Sequence, residues 1–213
     1  MTRLRQFDAL AACAHLARRD KGLSRVMAEV GDLQLEVRRN RSVFEYLGRS
    51  IVYQQLSGKA AATIHGRLLD LFARRRLHSA RLLEMPLEQL RSAGLSRSKC
   101  LALYDLAERA VTGVLPNTRA LHKMSDQQII DCLSEVRGVG EWTAQMLLIF
   151  YLGRPDVLPT RDLGVLKGYQ KMRALRELPD PSRLARAGLR WRPYRSIATW
   201  YLWRCLDITL PTT

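Results

Sequence analysis

The residues with the most chemical potential lie in one stretch, EVRGVGEWTAQMLLIFYLGRPDVLPTRDLGVLKG, at 135–168. It holds Gly138-Val139-Gly140, then Trp142, then Asp162 directly after Pro159, Thr160 and Arg161. Glycines adopt positive φ readily and let another molecule approach the backbone closely. A helix closing near Val136 and another opening near Gly140 would leave unpaired N–H groups at the second helix's start, where the dipole favours an anion. A phosphate suits that place, and such backbone contacts do not read base sequence. Asp162 stands at the mouth of the helix LGVLKGYQ, where a capping aspartate contributes about 1 kcal/mol. The same carboxylate can stabilise positive charge developing on a substrate. Capping and catalysis are compatible at this position.

Nearly every other segment reads with helical period, and these elements must position the residues above. Ser57 precedes GKAAATIHGRLLDLFARR, whose Ala61, Ile64, Leu68, Leu71 and Phe72 share one face. PLEQLRSAG is a short helix between Pro86 and Gly94. Ser96 caps RSKCLALYDLAERAVTG, which stops at Gly113. Ser125 and Gln128 have capping-box spacing. Further helices are expected at about 4–18, 43–55, 141–152, 163–173, 181–188 and 193–206, which makes about ten in all. Only GDLQLEVRR alternates, and a single short strand builds no sheet, so it reads as an extended connector. The fold class is all-α, with no repeat and no low-complexity linker.

The chain has 213 residues with 35 Lys+Arg against 20 Asp+Glu, a formal charge of +15. That balance fits a polyanionic partner such as nucleic acid. No apolar run has the length of a membrane span, and the broken N-terminal pattern does not suit a secretory leader. Cys13, Cys100, Cys132 and Cys205 are far apart and form no metal-ligand spacing. Scattered thiols fit a reducing cytoplasm. His15, His65, His78 and His122 lie away from the motifs and read as surface or packing residues.

Four ordered stretches carry a resemblance. RGVGEWTAQMLLIFYLGRPDVLPTRDLGVLKG resembles the hairpin and the Gly/Pro-loop-Asp signature of the helix-hairpin-helix (HhH-GPD) DNA glycosylase superfamily. With RSIVYQQLSGKAAATI, LRSAGLSRSKCLALYDLA and WRPYRSIATWYLWR, the match spans about 43–206 and is similar to the 3-methyladenine DNA glycosylase II branch. The resemblance implies two helical subdomains with a cleft between them, residues 1–42 plus 165–213 and residues 43–164. It implies a monomer that binds double-stranded DNA containing alkylated bases, flips the damaged nucleotide out of the stack and hydrolyses its glycosidic bond. Asp162 matches the catalytic carboxylate. The chain lacks the β-rich N-terminal domain of longer members and the four-cysteine iron–sulfur motif of the endonuclease III branch. No cofactor is expected beyond an alkali ion, Na+ or K+, on the carbonyls of Ser134, Val136 and Val139.

Trp142 stands where bifunctional relatives carry a nucleophilic lysine, and an indole cannot form a Schiff base. Its face can instead stack on a cationic base, for a contribution of about 0.5–2 kcal/mol. Trp203 matches another pocket tryptophan, with Trp200 and Tyr201 as neighbours on the same helix; Tyr53 is a further candidate for the pocket. YQQLSG resembles the loop that wedges into the emptied duplex position, with Gln55 aligned, Leu56 and Ser57 its neighbours, and an apolar residue more usual there. Gly138, Val139, Gly140, Arg137 and Thr143 are the expected phosphate contacts, joined by Arg97, Lys99, Lys167 and Arg195. A glycosylase for another lesion or with lyase activity, and a damaged-DNA binder without catalysis, are the competing readings.

Overall fold

The computed structural model describes residues 8–37 and 41–209, all of them in helices, turns and loops, with no strand among the described residues. Thirteen α-helices follow one another among the described residues. The all-α expectation holds. Three short helices add to those read from sequence: α2 (Lys21–Val30), α5 (Ser79–Glu84) and α8 (Thr118–Lys123). Each begins at a side-chain cap, from Asp20, His78 and Asn117 respectively. The alternating segment from Gly31 to Val37 is in neither helix nor strand, as a connector would be; Arg38 and Arg39, its last residues, lie outside the described residues. So do residues 4–7 of the first helix, and α1 is described over Ala9–Arg19.

The chain divides into two compact units, one from residues 1–37 and 148–213, the other from 38–147. The expected boundaries, 42/43 and 164/165, placed Asp162 with the hairpin; the division at 147/148 places it in the unit built from both termini. The reason is local. Ser196, fully buried in α13 (Arg195–Cys205), donates to the Arg154 carbonyl at 2.7 Å and accepts the Val157 N–H at 2.9 Å. Thr199 donates to the Val157 carbonyl, and Arg195 grips the Asp156 carboxylate at 2.7 and 2.9 Å. The loop leading to Asp162 is therefore stitched to α13 before Asp162 is reached.

The terminal unit has its own core, in which Leu16, Leu23, Val26, Val165, Trp191, Ile197 and Leu202 are buried. At its centre lies the carboxylate of Asp20. It caps α2 through the N–H groups of Gly22 and Leu23, accepts the Trp191 indole N–H at 2.9 Å and pairs with Arg173. A buried charge is tolerable when its acceptor sites are filled this way. The second unit is organised around α3 (Val43–Tyr53) and α7 (Arg97–Val111). Its α3 starts at a capping box from Ser42 and Glu45, and Glu45 also takes a two-point ion pair from Arg76 at 2.9 and 2.7 Å.

Two glycines set how α11 (Leu163–Met172) meets α13. A β-carbon on Gly164 would stand 3.0 Å from Cδ1 of Trp203, and one on Gly168 would collide with the Leu202 backbone carbonyl. Neither residue has positive φ, so the requirement is space. Helix propensity alone would make Gly168→Ala stabilising by about 1 kcal/mol. The crossing predicts the opposite: urea unfolding should show Gly168→Ala destabilised by about 3 kcal/mol, because a backbone atom cannot rotate away as a side chain does.

Candidate active site and nucleic-acid interface

Within the terminal unit, Asp162 is the N-cap of α11 and is half-buried. Its Oδ1 accepts two bonds, from the Val165 N–H at 2.8 Å and from the indole N–H of Trp203 at 2.9 Å. Trp203 in turn lies nearly parallel to Phe150, with ring centroids 5.7 Å apart and planes 21° apart. Phe150 sits in a five-residue π-helical turn, Leu148–Leu152. Of the three clustered aromatics on α13, Trp203 is the one that meets Asp162. The Tyr201 ring is buried and its hydroxyl donates to the Gly31 carbonyl, while Trp200 packs edge-on against Tyr201. A carboxylate held by an indole, a backbone N–H and a helix N-terminus is an oriented anion. It can face a developing cation without first reorganising.

The second unit carries the hairpin. α9 (Asp126–Ser134) ends, Val136 and Val139 bury their side chains, and α10 (Glu141–Leu147) begins. Between these apolar anchors, Arg137, Gly138 and Gly140 are exposed. The two glycines answer to different needs. Gly138 has φ +76° and its missing β-carbon would be 3.3 Å from Cβ of Ala102. Gly140 has an ordinary φ and nothing within 4 Å of where a β-carbon would be. Nothing inside the described residues requires a glycine there, whereas a ligand drawing close to the backbone would. Trp142 follows with half of its surface, 50%, exposed.

Thr143 does not share that surface: it is only 4% exposed, so its side chain stands behind the hairpin. Two of the expected phosphate-binding cations are otherwise engaged. Arg195 is committed to Asp156, as described above. Lys99 is half-buried and donates to the carbonyls of Val52 at 2.7 Å and Gln54 at 2.8 Å, and burial pushes its ammonium pKa down. Arg97, Arg137 and Lys167 are exposed. Of the three carbonyls considered for an alkali ion, that of Val136 accepts the Val139 N–H at 2.9 Å and keeps a second lone pair.

In the wedge loop, Gln55 is exposed with φ 56°, Leu56 is 38% exposed and Ser57 caps α4 (Gly58–Asp70). Gln54, just before them, donates its side-chain amide to the Gly138 carbonyl at 2.7 Å. Tyr53 is held on two sides, by the Arg49 guanidinium 3.8 Å above its ring and by His65 edge-on at 5.9 Å. His65 also lines a cavity of about 110 Å³ with Glu45, Arg41, Arg75 and Arg76.

Sequence reasoning missed Phe150, Gly164 and the clamps from Gln54 and Lys99. The glycines were detectable: Gly164 and Gly168, four apart on one helix, mark a face kept free of side chains. The donors of Gln54 and Lys99 point at backbone far along the chain, and no local pattern signals that.

The glycine hairpin and the helix-capping aspartate both lie within a stretch that matches a class of DNA repair proteins. Residues 49–193 match the family of HhH-GPD superfamily base excision DNA repair proteins, and the chain belongs to that family. It is 32% identical over 196 residues to DNA-3-methyladenine glycosylase 1 of Schizosaccharomyces pombe, covering 89% of this chain and 84% of the relative. The solved 3-methyladenine DNA glycosylase of S. pombe in complex with abasic DNA is similar over 95% of this chain and 100% of its own, with TM-score 0.84 and 29% identity. DNA-3-methyladenine glycosidase from Bacillus halodurans is similar over 89% and 86%, with TM-score 0.80 and 34% identity.

The buried His65 gives this unit a pH dependence. Burial, with Arg41 and Arg49 adding to it, pushes its pKa from 6.5 down to about 4. The folded state therefore binds fewer protons than the unfolded chain between these values, and stability falls as pH drops from 6.5 towards 4. The whole effect is on the order of 3 kcal/mol. The Nε2 of His65 has no hydrogen-bond partner among the described residues, so Phe can replace the ring without stranding that atom's partner. His65→Phe should flatten the decline of the thermal midpoint between pH 6.5 and 4.5 relative to wild type; an unchanged decline would assign it to other groups.

Proposed function

We propose that the protein is a monofunctional DNA glycosylase of base excision repair that releases alkylated purines of the 3-methyladenine and 7-methylguanine type. The observation that carries this reading is the carboxylate of Asp162, oriented by Trp203 and Val165 at the N-terminus of α11. Membership of the base excision repair family and similarity to glycosylases named for 3-methyladenine support it.

The chemistry follows from the leaving group. Methylation at N3 or N7 makes the purine cationic, so the glycosidic bond breaks with its electron pair passing to the base, which departs neutral. Positive charge collects on the deoxyribose, and the carboxylate of Asp162 stabilises it. Water adds to the anomeric carbon and loses its proton, leaving an abasic site. A strong general acid is unnecessary for such a substrate. The target nucleotide must leave the stack for this to occur, with Gln55 or Leu56 filling the gap and the backbone of Gly138–Gly140 holding a phosphate.

The exposed indole of Trp142 supplies a face for a cationic base and occupies the position of the lysine used by bifunctional relatives. The steps as written draw on no cofactor. An alkali ion on the carbonyls of Ser134, Val136 and Val139 would brace the hairpin. The protein acts as a monomer on DNA, in a cytoplasm reducing enough to keep its four cysteines as thiols.

Asp162→Asn keeps the cap but removes the charge. Single-turnover release of methylated base should fall by about 10²–10³-fold, with binding to abasic duplex largely retained. Release at the wild-type rate would remove Asp162 from the mechanism. Incubation with abasic DNA and borohydride should trap no covalent adduct; a trapped Schiff base would make the enzyme a lyase.

A further inference from the structure

Helix α3 ends at Tyr53, and only four residues, Gln54–Ser57, separate it from α4. The reversal is made by Gln55 in the left-handed region, at φ 56°. Glycine would adopt that conformation without strain. The glutamine side chain is exposed and makes no hydrogen bond within the described residues. A strained, outward side chain needs support from beneath.

That support comes from one face of α7. Lys99, Ala102, Asp105 and Arg109 recur at three- and four-residue spacing and lie along a single stripe. Lys99 holds the wedge loop by the carbonyls of Val52 and Gln54. Ala102 abuts Gly138 of the hairpin. Asp105 accepts the Arg137 N–H at 2.8 Å, and Arg109 donates to the Glu135 carbonyl at 3.0 Å. Gln54 closes the arrangement by bonding the Gly138 carbonyl directly. The ammonium of Lys99 also sits at the C-terminal end of α3, where a cation meets the negative end of the helix dipole.

We propose that Lys99 is a positioning residue for base flipping: it fixes the wedge loop and, with Gln54, locks it to the phosphate-gripping hairpin as one rigid element. The inference rests on the glycosylase reading above. It also separates Lys99 from the exposed cations, because a half-buried lysine with two of its three donors on carbonyls is held to the loop, whereas Arg97, Arg137 and Lys167 are exposed.

The test compares Lys99→Met, Lys99→Arg and Gln54→Leu with wild type on one methylated oligonucleotide, as duplex and as single strand. A single strand needs little unstacking, so it spares the step that the loop serves. Lys99→Met should lose roughly 10–30-fold in single-turnover release from duplex but no more than about 3-fold from single strand, the scale of a misplaced positioning element. Lys99→Arg should recover part of the duplex rate, and Gln54→Leu should show the same pattern more weakly. The slope of log affinity for abasic duplex against log salt should not change for Lys99→Met, whereas loss of a phosphate contact would reduce it by about 1. Equal loss on both substrates, a reduced salt slope or no loss in duplex would overturn the proposal. If Lys99→Met fails to fold, Gln54→Leu decides by the same criteria. Wild-type protein that releases no base from either substrate would instead count against the glycosylase reading itself.

Discussion

The close crossing of α11 over α13 is the constraint from which the placement of Asp162 follows. Gly168 lets the Leu202 carbonyl lie where a β-carbon would be, and Gly164 makes the same allowance for the Trp203 ring. At that separation the Trp203 indole N–H reaches the same Asp162 oxygen that accepts the Val165 N–H. The carboxylate is thus placed by packing, and its orientation is fixed before any substrate arrives. The catalytic role proposed for Asp162 depends on this, because a prepositioned charge needs no reorganising as charge develops. The ties from Ser196, Thr199 and Arg195 to the loop at 154–157 secure the approach to Asp162 from the other side.

The hairpin and the loop at 54–57 in the other unit follow a different logic. The phosphate grip and the wedge proposed for them would act through exposed backbone or exposed side chains, which have little packing of their own. Both are held from below by donors and acceptors on α7 and by the amide of Gln54. The net charge of +15 brings polyanions to the surface, but the hydrogen-bonded frame fixes where the loops stand once DNA is there.

Much of this was legible in the sequence. Capping residues marked the helix starts at Ser57, Ser96, Ser125 and Asp162, since a cap is a local event between neighbours in the chain. The hairpin glycines, Trp142 and Asp162 carried both a chemical reading and a family resemblance. Lys99 and Arg195 were read as phosphate contacts because a cation's sequence context says nothing of a carbonyl or carboxylate far along the chain. The subdomain boundary was placed at 164/165, after Asp162, because hydrogen bonds from α13 to the preceding loop are likewise non-local. Thr143 looked available at the start of a helix, yet helical periodicity turns it inward.

Release of alkylated purines by an oriented carboxylate is tested most directly by incubating the purified protein with randomly methylated DNA and identifying the freed bases by mass. 3-Methyladenine and 7-methylguanine should appear as free bases, and abasic sites should accumulate in equal number without strand cleavage. DNA that stays bound while no base is released would rule this chemistry out and leave a protein that recognises DNA without acting on it.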